Sequence, residues 1–189
     1  MEIQFRRTGE RRYAITIFRK DHSPLAMNPA PGYDSIMPHD LLHLVVESEL
    51  GLSRGIFGQI AAGGNAGTFH PVAANNENQR EAARLRRRVA KRGEKLLREG
   101  RNESALSERA TYICLYEWLS RSADPERKKL AIQMSSQAKQ TLTIQPAFEG
   151  QALTEKLLIR ICNRLDDLSQ RWASLKTGES LTVMWPDIN

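Results

Sequence analysis

Residues 2–7 and 11–18 alternate apolar and polar positions as half-buried strands do, and the alternation predicts two strands. Ile3 and Phe5 fall on one face of residues 2–7, Tyr13, Ile15 and Ile17 on one face of residues 11–18, and "RTGER" between them reads as a turn. The chain therefore starts with a hairpin. The next stretch, "KDHSPLAMNPAPGYDSIMP", has four prolines, a glycine and no period, which predicts an extended loop ending at Pro38. Proline suits the first position of a helix, and a helix is expected over about 38–50, broken at Gly51 and followed by a shorter one in "GLSRGIFGQIAAGG".

Residues 63–78, "GGNAGTFHPVAANNEN", read as a flexible loop or hinge. Helical spacing then predicts helices over about 79–100 and 105–122; within the second, "ATYICLYEWLS" is apolar nearly all round, the mark of a buried central helix. Asp124 and Pro125 open another. Leu153, Leu157, Ile161, Leu165, Leu168, Trp172 and Leu175 step by three and four as a single apolar stripe, and beyond Gly178 the period returns to two, with Leu181, Val183 and Trp185 on one side of a strand. A terminal strand has no stability alone, so it is expected to pair with the N-terminal hairpin. The fold class is α+β: a mainly helical body with a small antiparallel sheet made of the hairpin and the C-terminal strand, in a single domain over 1–189.

At 189 residues the chain is long enough to bury a core without disulfides or a structural metal. No apolar run approaches the roughly 18 residues of a membrane span, and the alternating N-terminus lacks the apolar core of an export signal. The cytoplasm is the expected compartment. Cys114 and Cys162 lie in apolar helical patterns, where a thiol behaves as a small buried hydrophobe.

Charge changes the picture at one place. The net charge is +6, and the stretch from Gln79 to Arg101, with ten basic residues against three acids, more than accounts for it. Arg80, Arg84, Arg87, Lys91, Lys95 and Arg98 step by three and four, which puts them on one helix face able to follow a phosphate backbone. No aromatic residue interleaves them and no helix-turn-helix signature surrounds them, so the partners this face suggests are non-specific nucleic acid or an acidic protein. The alternative is a solvated helix packed through Leu85, Val89 and Leu96.

The densest candidate chemistry is "MPHDLLHLVVES", residues 37–48. At about 100° per residue, His39, Asp40, His43 and Glu47 share an arc opposite Leu41, Leu42 and Val45. Two imidazoles at i and i+4 reach one ion from neighbouring turns, the spacing used by helical zinc sites, and Asp40, Glu47 or Glu49 supplies a carboxylate. His70, in the glycine-rich segment, is a candidate third imidazole. The expected cofactor is zinc or another divalent metal, and the expected chemistry is metal-assisted hydrolysis. The polar face of an ordinary amphipathic helix explains the same spacing. "FGQIAAGGNAGTFHP" lacks the Lys-Ser/Thr of a phosphate loop and reads as a turn. No serine or cysteine triad assembles, and a scaffold without activity stays open.

"HDLLH" resembles the H-D-x-x-H core of the coenzyme Q biosynthesis (Coq-four-like) family, in which two histidines, the aspartate and a later glutamate form a zinc site. The resemblance implies metal ligands at His39, Asp40 and His43. The family's glutamate follows eleven intervening residues; that position here is Gly55, and the nearest "GQ" offers Gln59. His39-Asp40 is also similar to the central pair of HD-type metal phosphohydrolases, and "PHDLLHLVVE" resembles a bacterial family of unassigned function.

Overall fold

The computed structural model describes residues 1–20, 22–31, 36–72, 78–143 and 153–188, with the backbone alone over 135–143. Its strands are β1 (Glu2–Gly9), β2 (Arg12–Arg19), β3 (His22–Met27), β4 (His70–Pro71) and β5 (Ser180–Met184). Its helices are α1 (His39–Leu50), α2 (Ile56–Ala61), α3 (Gln79–Glu99), α4 (Arg101–Arg121), α5 (Pro125–Thr143) and α6 (Glu155–Ser174). The class is α+β, and every pairing in the sheet is antiparallel, in the order β4-β3-β2-β1-β5.

Register explains why the sheet has a core face. Val183, Ile3, Ile17 and Leu25 stand opposite one another across four strands, and Leu181, Phe5, Ile15 and Met27 form the next row. All eight are buried. Because side chains alternate faces along a strand, a one-residue slip would turn both rows into solvent, and this fixes the pairing. The C-terminal strand pairs with the hairpin as its alternation predicts, through β1.

Two strands lie where the sequence suggests loops. β3 occupies the proline-rich stretch after Lys20, and β4 the glycine-rich stretch before α3. Pro24 cannot donate to a ladder and masks the period of Leu25 and Met27, yet its carbonyl accepts from the Val72 N–H at 2.9 Å. Residues 32–35 of the first expected loop and 73–77 of the second lie outside the described residues.

Helix α1 packs against α2, α4 and α6, and α4 also packs against α5 and α6. Every residue of α1 from Leu41 to Glu47 is buried, polar ones included. The reading of this helix as a solvated amphipathic surface therefore fails for the inner half of its polar arc: His43 and Glu47 are buried against α4, while His39 at the first turn is exposed. Tyr13 meets Trp172 of α6 edge-on at 6.3 Å, and Phe57 of α2 lies 6.0 Å from Trp185, so the helical layer reaches the sheet at both ends. Cys114 and Cys162 are free and buried. Among the described residues no helix is long and apolar enough to cross a membrane.

Candidate functional site

Pro38 precedes α1, and Gly51, at φ 66°, closes it in the left-handed conformation that a side chain disfavours. Between them His39, His43 and Glu47 descend one ridge. Across from them α4 presents Ser104, Ser107, Glu108 and Thr111, also at three- and four-residue steps. Where the two helices meet, these residues form a polar seam inside an otherwise apolar body.

Glu47 is the floor of the seam and has no exposure to water. Its Oε1 accepts from the Ile56 N–H at 2.7 Å and its Oε2 from the Phe57 N–H at 2.9 Å, so a carboxylate from α1 caps the first turn of α2. Gly55 is required beside it, since a Cβ there would lie 2.6 Å from Oε2. The Ser107 hydroxyl donates to Oε1 at 2.7 Å. Burial pushes the Glu47 carboxyl up to about 7, against the pull of these three hydrogen bonds.

With its hydrogen given to Glu47, Ser107 Oγ offers a lone pair to His43 Nδ1 at 3.1 Å, and Thr111 Oγ1 lies 3.3 Å from the same nitrogen. The proton of the neutral imidazole is thereby assigned to Nδ1, and the lone pair to Nε2. Burial, reinforced by the charge of His39, lowers His43 to about 4, so the ring is neutral at ordinary pH. Its Nε2 lies 3.1 Å from His39 Nε2 and 3.6 Å from Glu108 Oε2. The three groups stand at the edge of a cavity of about 330 Å3 that Asp40, Gln59 and Ser104 also line.

The sequence candidates separate into distinct roles. His39 and His43 come together. Asp40 lines the same cavity but its Oδ2 accepts from the Tyr13 hydroxyl at 2.5 Å, and burial raises its pKa despite that bond and the nearby His39. Both oxygens of Glu47 are held from below. Glu49 pairs with Arg160 and Arg164. His70 stands exposed on β4 opposite Ala26 and does not line the cavity. Among the described residues no three His, Cys, Asp or Glu side chains already converge as a metal cluster.

Ser107, Glu108, Thr111 and Tyr13 belong to the site and were not singled out from the sequence. The signal of the three on α4 was faint, hydroxyls and an acid at helical spacing in a helix otherwise read as apolar core, and Tyr13 was read only as a strand residue of the buried face. Gln59, the residue nearest in sequence to the expected glutamate, does line the cavity. Its Nε2 donates to Arg54 O and Ser104 Oγ, both at 2.9 Å, while its buried Oε1 has no hydrogen-bond partner among the described residues.

The basic residues of α3 lie elsewhere. Arg80, Arg84, Arg87, Lys91, Lys95 and Arg98 are all exposed, and α3 buries only Val89 and Gly93. Lys95 meets Glu99 at 3.7 Å; the other five form no ion pair among the described residues.

Comparison of the chain with models of protein families, with curated proteins and with solved structures finds no match.

Proposed function

We propose that the chain binds one divalent metal ion, zinc in the first place, between His39 Nε2 and His43 Nε2, and uses it to activate water against a small substrate in the adjoining cavity. The observation that carries this reading is the 3.1 Å separation of the two Nε2 atoms. Two nitrogens bound at about 2.1 Å to a tetrahedral zinc lie about 3.4 Å apart. The helix thus holds two imidazoles within a few tenths of an ångström of that spacing.

The surroundings support it. Metal binding needs neutral imidazole, and burial keeps His43 neutral. The Glu47–Ser107–His43 chain orients the ring through its other nitrogen, as the outer partners of metal-bound histidines do. Glu108, whose side chain is 67% exposed, is free to rotate the short distance that would make it a third ligand. A metal with two or three protein ligands keeps a position for water, and Asp40 beside it is a proton acceptor.

Elemental analysis of protein purified without added metal, followed by zinc titration, tests the reading. About one ion per chain is expected, with binding lost in His39→Ala and weakened in Glu108→Gln. His39 is exposed, so its removal leaves the fold intact. Wild-type protein that takes up no zinc below millimolar concentration would refute the site.

A second reading is carried by the exposed cations of α3: a polyanion-binding surface for nucleic acid or an acidic protein. Arginines without base-reading or stacking partners contact phosphates alone, so binding should be independent of sequence and fall steeply with salt. Binding that persists at high salt, or that selects a sequence, would overturn it.

A further inference from the structure

A second cavity, of about 450 Å3, opens between the adjoining ends of β2 and β3, the segment after α2, and α3. Arg19, His22, Arg88 and Arg92 line it, and among the described residues no acidic side chain does. None of Arg80, Arg84, Arg87, Lys91, Lys95 and Arg98 lines it, and it shares no lining residue with the His39/His43 cavity.

Arg19 is the unusual member. It is 8% exposed, and its guanidinium is fixed by backbone carbonyls: Nε and Nη2 donate to Ser23 O at 3.2 and 2.6 Å, and Nη1 to Ile60 O and Gly64 O at 3.2 and 3.0 Å. Those bonds satisfy four of its five donors without neutralising its charge. Among the described residues no carboxylate pairs with it, although buried charges are ordinarily paired.

The other members complete an anion pocket. Arg92 Nε donates to Ala62 O at 3.3 Å, which holds its guanidinium at the wall and leaves both Nη groups for a ligand. Arg88 stands one helical turn before it, with no ion pair among the described residues. Gly63, at φ 92°, has no Cβ to meet His22, whose Nε2 would lie 3.1 Å from one. Leu85 and the buried Val89 give the cavity an apolar side.

We infer that this cavity binds the phosphoryl group of a small phosphorylated molecule. Guanidinium forks match phosphate oxygens in pairs, and those of Arg88 and Arg92, with the fixed charge and one remaining donor of Arg19 beside them, favour a dianion over a carboxylate. A volume of about 450 Å3 suits a small ligand with an apolar part rather than a polymer strand.

Calorimetric titration of full-length, metal-stripped protein with inorganic phosphate and with pyrophosphate tests this independently of the zinc reading. One pyrophosphate per chain is expected. The exposed pair Arg88→Ala/Arg92→Ala should weaken it at least about tenfold, and the charge-matched pair Arg87→Ala/Arg98→Ala by less than about twofold. Equal weakening by both pairs would show a diffuse field along α3. No binding of either probe by the wild type at millimolar concentration, or tight binding of a single-stranded oligonucleotide alone, would likewise overturn the inference.

Discussion

The hydroxyl of Ser107 stands between Glu47 and His43, donating to the carboxylate at 2.7 Å and facing the imidazole Nδ1 at 3.1 Å. One buried hydroxyl thus ties the cap of α2 to the ring at the cavity. Ser107→Ala removes a donor from Glu47 and leaves His43 Nδ1 with Thr111 alone. The expected cost is about 1–3 kcal/mol in urea unfolding. Zinc affinity should fall about 10- to 100-fold, as when other outer partners of histidine ligands are lost. A variant unchanged in both would show that Ser107 does not orient the ring.

The two buried titratable groups oppose each other in pH. In metal-free protein His43 is lowered from 6.5 to about 4, so its contribution is present above pH 6.5 and is lost as pH falls toward 4. Glu47 is raised from 4.5 to about 7, so its contribution is present below pH 4.5 and is lost as pH rises through 7. Between these limits the unfolded chain carries a carboxylate and an imidazolium where the folded one carries two neutral groups, and the two slopes nearly cancel. Glu47→Gln removes one of them. Its destabilisation, measured by denaturant unfolding, should be larger at pH 4.5 than at pH 7.5 by roughly 3 kcal/mol. Comparing variant with wild type removes contributions common to both. A penalty equal at both pH values would contradict the raised carboxyl.

Gly55 tests the same carboxylate through space. Its φ of −66° is open to any residue, so Gly55→Ala brings no backbone strain and acts only through the methyl that meets Glu47. A buried carboxylate held by two backbone N–H groups cannot retreat freely, and overpacking of this kind costs about 1–3 kcal/mol. The effect on zinc affinity should resemble that of Ser107→Ala. If thermal unfolding and zinc titration both match the wild type, Glu47 is less tightly held than the geometry states.

What could be read in advance divides along physical lines. The hairpin, α1, α6 and β5 announce themselves because apolar side chains at period two or 3.6 mark a face that must be buried, a local property of the chain. β3 was hidden because Pro24 interrupts the donor pattern by which a strand is recognised. The polar seam was half legible: His39 and His43 share a ridge by arithmetic, but nothing in α1 says whether that ridge meets water or α4. The answer lies in Ser107, Glu108 and Thr111, some sixty residues away. Partners so distant in sequence become visible only when the helices are packed.

The last element of the sheet carries the final prediction. Leu181 and Val183 stand in the two core rows opposite Phe5 and Ile3, and Trp185 and Ile188 are buried beyond them. The main chain is locked at the same point: Trp185 N–H donates to Met1 O at 2.9 Å, and the N-terminal amine to Trp185 O at 2.7 Å. Removing residues 180–189 would expose β1 as an unpaired edge, take away four buried apolar side chains and uncover the core residues they cover, Ile3, Phe5 and Phe57 among them. A loss of at least about 5 kcal/mol is expected, enough to lower the melting temperature by more than about 10 °C and to promote aggregation. Trp185→Ala isolates the largest part without creating an edge, and should cost about 3–5 kcal/mol through the cavity left against Phe57. A truncated chain that melts with the wild type, or a Trp185 variant within a few tenths of a kcal/mol of it, would mean that the C-terminal strand is an ornament on a sheet already complete.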